Sequence, residues 1–501
     1  MRKVLLTLTA FIATLTASAQ WTASFEPVND ANELKGIHTT TATDGSVYVS
    51  SSYNQGFQFA GKDITDPEGL TSACIVKYDA EGKELWAVTL EGAATVFALD
   101  TDTDGTLYVA GNFTDVVKYT GADGVSAEMT SETVLSAFIA KINVEGKVEN
   151  VKVITPTVNE TVASAVGDPW GMGVEEPLYT MWDPIYVAPN KIQVDGDKVY
   201  VSAKYMGDVT ELTWKGSYLD LWGMMYSDNY SMGVFSLNKS DLTGAASVAN
   251  VQMTGVISDT QFYPEAMSFV AENGTVYVSF IGFQKLTLTT ADKTEDFSFA
   301  VSEDGSKNEH ALVLATIGEA TTTKTFNVAA HDKLAVPYNL FMETNSDNLI
   351  IGGTYYGELP FNTEITTGEL NSDIFVASVK KADNTTNWTY TSASESEAIC
   401  MTINNENALV ASTVANYNVE LTTGEGTTAT ISETLCCADG TTNVYVNESK
   451  VYVSSTTSEE TGIESAVVNT TNGIRYNLAG QAVTNSYKGI IIVDGKKYIV
   501  K

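Results

Sequence analysis

An all-β chain assembled from one repeated sheet is what this sequence predicts, and three observations predict it. A short strand of the form turn, then Val/Leu-Tyr-Val-Ser/Ala, recurs along the chain. Most copies open on Gly, Asn or Asp and alternate β-branched with aromatic residues, the pattern of a hairpin strand. No helical periodicity of useful length competes with them.

The chain opens on Met1-Arg2-Lys3, an apolar run over 4–15, and Ala17-Ser18-Ala19. A basic start, an apolar core and a small-x-small site read as a secretory signal peptide over 1–19. Its core is too short to span a bilayer, and no later segment approaches the ~20 apolar residues a membrane helix needs. No Cys follows the cleavage site, so a lipid anchor is not indicated. The next residues, Trp21-Thr22-Ala23-Ser24-Phe25, resemble Trp86-Ala87-Val88-Thr89-Leu90, a unit's last strand. They are expected to complete the final unit, the one that runs from Val444 to Ser455.

The repeat itself occupies 20–458. Its clear copies are Val47-Tyr48-Val49, Leu107-Tyr108-Val109, Val199-Tyr200-Val201, Val276-Tyr277-Val278 and Val451-Tyr452-Val453, with weaker ones at Leu349-Ile350-Ile351 and Ala408-Leu409-Val410. Further strands follow each copy, such as Ala73 to Tyr78 and then the Trp86 strand, with Trp388 as the counterpart in the fifth unit. The sixth unit is aligned to the fifth by placing Ala382-Asp383-Asn384-Thr385-Thr386-Asn387 against Ala438-Asp439-Gly440-Thr441-Thr442-Asn443. Successive cores stand 43 to 92 residues apart, the spacing of four-stranded blades with unequal loops. A toroid of such sheets removes its free edges by closing on itself. The expectation is therefore a β-propeller of six or seven blades, seven favoured, followed by a small C-terminal β-hairpin or sandwich module over 459–501.

Composition narrows the function classes. A net charge of −34 argues against nucleic acid and anionic membranes, both of which require a Lys/Arg footprint. Cys74 and Cys400 sit in apolar stretches and read as small buried hydrophobes. The adjacent Cys436 and Cys437 read as structural or as a disulfide partner for Cys400, since no second Cys or His pair stands at ligand spacing. His38, His310 and His331 are isolated, no Gly-x-Ser-x-Gly elbow exists, and Glu175-Glu176 is no sign of glycoside hydrolysis among 62 acidic residues.

Two regions are candidate sites. Trp170, Trp182, Trp214 and Trp222, four of the seven tryptophans, fall in one Gly/Pro-broken stretch and the segment after it. Aromatic faces beside Asp183 and Asp220 would suit sugar rings, whose apolar C–H side stacks while carboxylates accept the hydroxyls. The competing reading is that the rings fill an oversized blade. Asp100-Thr101-Asp102-Thr103-Asp104-Gly105 matches the opening of a calcium loop, although Gly111 stands where the bidentate Glu would be. Asp100, Asp102 and Asp104 are thus a calcium candidate, and no other cofactor is expected.

Segments such as Asp104-Gly105-Thr106-Leu107-Tyr108-Val109-Ala110-Gly111-Asn112-Phe113 and Ile75-Val76-Lys77-Tyr78-Asp79 resemble the bacterial β-propeller repeat of large secreted proteins. That resemblance implies a binding or scaffold module with no shared catalytic set. Asp79 to Trp86, as Asp-x-x-Gly-Lys-x-x-Trp, is similar to the quinoprotein repeat of pyrroloquinoline quinone enzymes, in one unit. In the tail, Gly462-Ile463-Glu464, Tyr476-Asn477-Leu478-Ala479-Gly480-Gln481-Ala482-Val483, Lys488-Gly489-Ile490-Ile491-Ile492 and Gly495-Lys496-Lys497 are similar to the C-terminal sorting domain of Bacteroidetes cargo. This implies passage through type IX secretion machinery and a secreted or cell-surface location. The expected function is binding of a glycan, peptide or protein; the alternative is a propeller enzyme acting on a polysaccharide, or a quinoprotein-like oxidoreductase.

Overall fold

The computed structural model describes residues 21–28, 34–66, 71–158, 166–167, 172–173, 176–177, 185–221, 225–229, 231–253, 267–283, 285–300, 307–326, 329–332, 339–345, 347–355 and 373–391, together with the strands between 398 and 500. Regular structure among them is β-strand, apart from one 3₁₀ turn at Thr210–Leu212. The strands fall into successive antiparallel four-stranded units. In the first unit these are Lys35–Thr41, Val47–Tyr53, Ser72–Tyr78 and Glu84–Glu91, paired in that order.

Each copy of the repeat from Tyr48 to Leu409 is the second strand of its unit. The strand that precedes it has no consensus of its own, and it is the innermost. These first strands are Lys35–Thr41, Ala94–Thr101, Tyr186–Asp195, Met267–Glu272, Asn339–Thr344, Ala398–Asn404 and Thr434–Ala438. Each contacts the next, and the last contacts the first, so they ring a central axis. This radial arrangement of twisted meanders is a β-propeller.

Packing explains why the second and third strands carry apolar residues on both faces. Every residue of Val47–Tyr53 and Ser72–Tyr78 is buried, because each sheet is sandwiched between its two neighbours. Space near the axis is short, so small residues such as Ser50, Ala73, Ala110 and Ala203 fill these strands. A Cβ on Gly111 would stand 2.2 Å from the Thr95 carbonyl and 2.6 Å from the Phe138 ring.

The N-terminal strand completes the unit of Lys450–Ser455, as the sequence predicted. Trp21–Pro27 is the fourth strand of the seventh unit, with Trp21 opposite Ser455 and Phe25 opposite Val451. Its indole Nε1 donates to the Ala80 carbonyl at 2.7 Å, and its ring covers Gly82, where a Cβ would lie 2.3 Å from it. Trp86 repeats this one unit on, donating to Val144 at 3.0 Å and covering Gly146. The core tyrosines bridge the same way: Tyr48 donates to the Gly105 carbonyl at 2.8 Å and Tyr108 to the Lys239 carbonyl at 3.2 Å.

Two expectations are corrected. The copy at Tyr452 lies on Lys450–Ser455, the third strand of its unit, because Thr434–Ala438 and Thr442–Asn447 precede it. The alignment of 382–387 with 438–443 also shifts: the former stretch joins third and fourth strands, the latter first and second. In the tail, Arg475–Asn477 pairs with both Ala482–Val483 and Gly489–Val493, and Lys496–Val500 completes one four-stranded sheet.

Candidate functional site

A four-stranded meander places its first-to-second and third-to-fourth connections at one end, and its second-to-third and unit-to-unit connections at the other. The toroid therefore has a turn face and an insert face, and the two are built from different chemistry.

On the turn face, carboxylates and amides cap tight turns. Asp44 accepts from the Ser46 N–H, Asp79 from Glu81 and Lys83, Asn143 from Glu145 and Lys147, and Asp383 from Thr385. Side chains of this type favour such turns because they bond their own backbone two residues on. Much of the acidity is thus spent locally.

The three carboxylates of the calcium candidate are drawn to separate partners. Asp100 Oδ2 accepts from the Val194 N–H of the third unit at 2.7 Å. Asp102 pairs with Lys239 at 2.7 Å. Burial pulls its pKa up, but Lys239 and the Thr103 amide outweigh that and hold it below the usual value. Asp104 caps the Thr106 N–H at 2.9 Å. Among the described residues no group of three or more His, Cys, Asp or Glu is arranged to hold a metal ion.

On the insert face, hairpins between second and third strands reach back to the preceding unit. Gly56–Phe59 pairs with the end of Trp21–Pro27, the long hairpin of Leu107–Thr120 pairs with Glu84–Glu91, and Lys285–Thr289 pairs with Ala246–Met253. Each clasp covers the distal edge of an outer strand.

The aromatic region leaves the fold on this same face. One connection runs from the second unit to the third and carries Trp170 and Trp182; the other is the third unit's own insert and carries Trp214 and Trp222. Their roots are tied by paired backbone bonds, Thr157 N–H to Asp208 O at 2.8 Å and Asp208 N–H to Thr157 O at 2.7 Å. The Asp208 carboxylate in turn receives the Gly216 N–H and Lys215 Nζ. Beyond it stands the hairpin Ser217–Leu221 and Met225–Asn229. Trp170, Trp182 and Trp222 lie outside the described residues.

Trp214 is not a ligand platform. It is 1% exposed, stacks on Tyr205 at 4.8 Å, meets Phe235 edge-on at 5.9 Å, and donates Nε1–H to Ser247 at 2.7 Å. Gly233 lies flat beneath the ring. An indole with both faces covered is a core side chain, and here it pins the foot of the insert.

Sequence reasoning missed the polar lining of the axis. Gln193 bonds the first strand of the fourth unit, and Lys191 reaches past Phe269, 5.8 Å from its ring, to the Met342 carbonyl at 2.6 Å and Glu343 at 3.0 Å. His38 also stands on a first strand, and burial lowers its pKa to about 4, so it is uncharged at neutral pH. First strands carry no consensus, which is why no motif pointed to them. Cys74 is buried, and burial raises its thiol pKa far above the usual range, so it is inert as a nucleophile. His310 and His331 fall on the paired strands Lys307–Ile317 and Ala329–Asp332 without facing each other in register.

No protein-family model matches the chain, and no curated protein does. Among solved structures it is similar to BamB from Moraxella catarrhalis, at 10% identity and a TM-score of 0.35, over 87% of this chain and 99% of that one. A protein of unknown function from Dyadobacter fermentans aligns at 10% identity and 0.34, over 87% and 99%. Virginiamycin B lyase from Staphylococcus aureus aligns at 11% and 0.30, over 72% and 94%. Likeness at this level assigns no activity to the chain, whose fold stands on its own strand order. Among the described residues no helix is long and apolar enough to cross a membrane.

Proposed function

We propose that this chain is a binding or scaffold propeller of seven blades, exported through its leader and delivered outside the cell by its C-terminal tail through type IX secretion machinery of the Bacteroidetes kind. Its ligand, a glycan or a protein, meets the insert face. The observation that supports this reading is the bridge between Thr157 and Asp208, which starts both aromatic-bearing connections from one spot. Trp182 and Trp222 then carry the stacking, and Trp214 holds the foot of the second segment.

A glycan array probed with the purified mature chain tests the reading. Binding should be lost in a Trp182→Ala, Trp222→Ala double variant that keeps the wild-type melting temperature. Binding left unaltered by that pair would remove the aromatic segments from the site.

A further inference from the structure

Two joints between units are latched at one structural level by different side chains. Gln193 and Asp100 occupy equivalent places, each on a first strand opposite the tyrosine of the repeat, Tyr200 and Tyr108 respectively. Each reaches the next unit at an equivalent residue. Ala271 and Val194 both stand opposite the valine before the next core tyrosine, Val276 and Val199.

Gln193 uses both ends of its amide. Nε2 donates to the Ala271 carbonyl at 3.0 Å, and Oε1 accepts the Ala271 N–H at 2.8 Å. Asp100 accepts the Val194 N–H at 2.7 Å. An ionised carboxylate has no hydrogen to offer, so it cannot answer the Val194 carbonyl as Gln193 answers that of Ala271.

The surroundings disfavour the charge on Asp100. Burial pushes its pKa up to about 6, against the Val194 and Thr101 amides and the Lys191 cation, with Glu343 adding to the rise. Lys191 is itself held by Met342 and Glu343, and His38 on the neighbouring first strand carries no charge at neutral pH.

We propose that the joint between the second and third units is a proton-set latch, in which neutral Asp100 donates its hydroxyl hydrogen to the Val194 carbonyl while accepting the Val194 N–H. Bulk solvent supplies the proton and takes it back. Ionisation releases half the latch. This is the joint from which the aromatic connections leave, yet the latch stands whether or not that face binds a glycan.

The folded pKa lies above the ordinary 3.8, so the latch contributes fully below about pH 4 and is lost as pH rises through about 6. Thermal midpoints of the full mature chain from pH 4.5 to 7.5 test it, in wild type, Asp100→Asn and Gln193→Glu. Asn supplies donor and acceptor at every pH, so Asp100→Asn should track wild type at pH 4.5 and melt about 3 °C higher at pH 7.5. Gln193→Glu should do the reverse, installing a second pH-dependent loss. Infrared difference spectra between pH 5 and 7.5 should show a protonated-carboxyl band that Asp100→Asn removes. A flat difference between Asp100→Asn and wild type across the range, or no such band in wild type at pH 5, overturns the proposal.

Discussion

The turn face and the insert face of this propeller are made from the same four-stranded units, yet they solve opposite problems. On the turn face the described connections are short, several are capped by their own Asp or Asn, and those at Ala80, Gly105 and Val144 are locked to a neighbouring unit through Trp21, Tyr48 and Trp86. On the insert face the connections are long, and order is supplied by hairpins that borrow an edge from the unit before. The difference teaches that the side-chain locks between units and the long connections are separated in space. One face can vary without loosening the ring.

Five substitutions would break or sharpen that separation. The largest effect is expected at the point where the faces are coupled, the foot of the third unit's insert. Trp214→Ala should cost about 4 kcal/mol in urea unfolding, since the indole is fully buried. It should also release the hairpin at Ser217–Leu221 to hydrogen exchange ahead of the ring. If the hairpin kept its protection, Trp214 would be ordinary core with no link to the insert.

Next come two glycines with nearly the same backbone, Gly82 at φ +79° on the turn face and Gly61 at φ +69° on an insert hairpin. A Cβ on Gly82 strikes the Trp21 ring, whereas one on Gly61 meets nothing within 4 Å. Gly82→Ala should therefore cost about 3 kcal/mol and Gly61→Ala about 1 kcal/mol, the latter from backbone conformation alone. Equal losses would mean that the ring closure at Trp21 contributes nothing.

A smaller effect is expected for Trp86→Phe, about 1 kcal/mol. The Val144 carbonyl that loses the indole donor keeps Lys77 Nζ at 3.2 Å, so it is not stranded. A drop of 3 kcal/mol or more in chemical denaturation would show that Lys77 does not share the load. Smallest of all, Lys118→Ala removes an exposed pair with Glu91 at 3.1 Å on the insert face. It should shift stability by about 0.5 kcal/mol at low salt and less at 1 M. A salt-insensitive loss would point to packing by the lysine stem instead.

How much of this was legible in the sequence depended on which strand was read. Val47-Tyr48-Val49 and its copies announce second strands by their apolar alternation, and in the first two units the tyrosine reaches the next unit's turn. Trp21 could be paired with the last unit because its neighbours match the Trp86 strand. Tyr452 misled, since a third strand flanked by two others carries the same Val-Tyr-Val alternation as a second. First strands were silent: Asp100 bonds Val194, 94 residues away, and no local pattern encodes that distance. Asp100, Asp102 and Asp104 looked like one site because they are adjacent in sequence, whereas the end of a strand and the start of a turn aim them at three different partners. Trp214 looked like its neighbours in composition, and its place in the core shows only in three dimensions, in its contacts with Tyr205, Phe235 and Ser247.

The pairing of Trp21 with Ser455 has a mechanical side. A load entering through the residues after Ser455 would pull along Lys450–Ser455, a strand hydrogen-bonded on one side to Thr442–Asn447 and on the other to Trp21–Pro27. Ladder bonds lie across the strand axis, so such a pull shears both ladders at once instead of unzipping them bond by bond. A propeller towed by its tail would then yield as a unit, with Trp21–Pro27 serving as the grip.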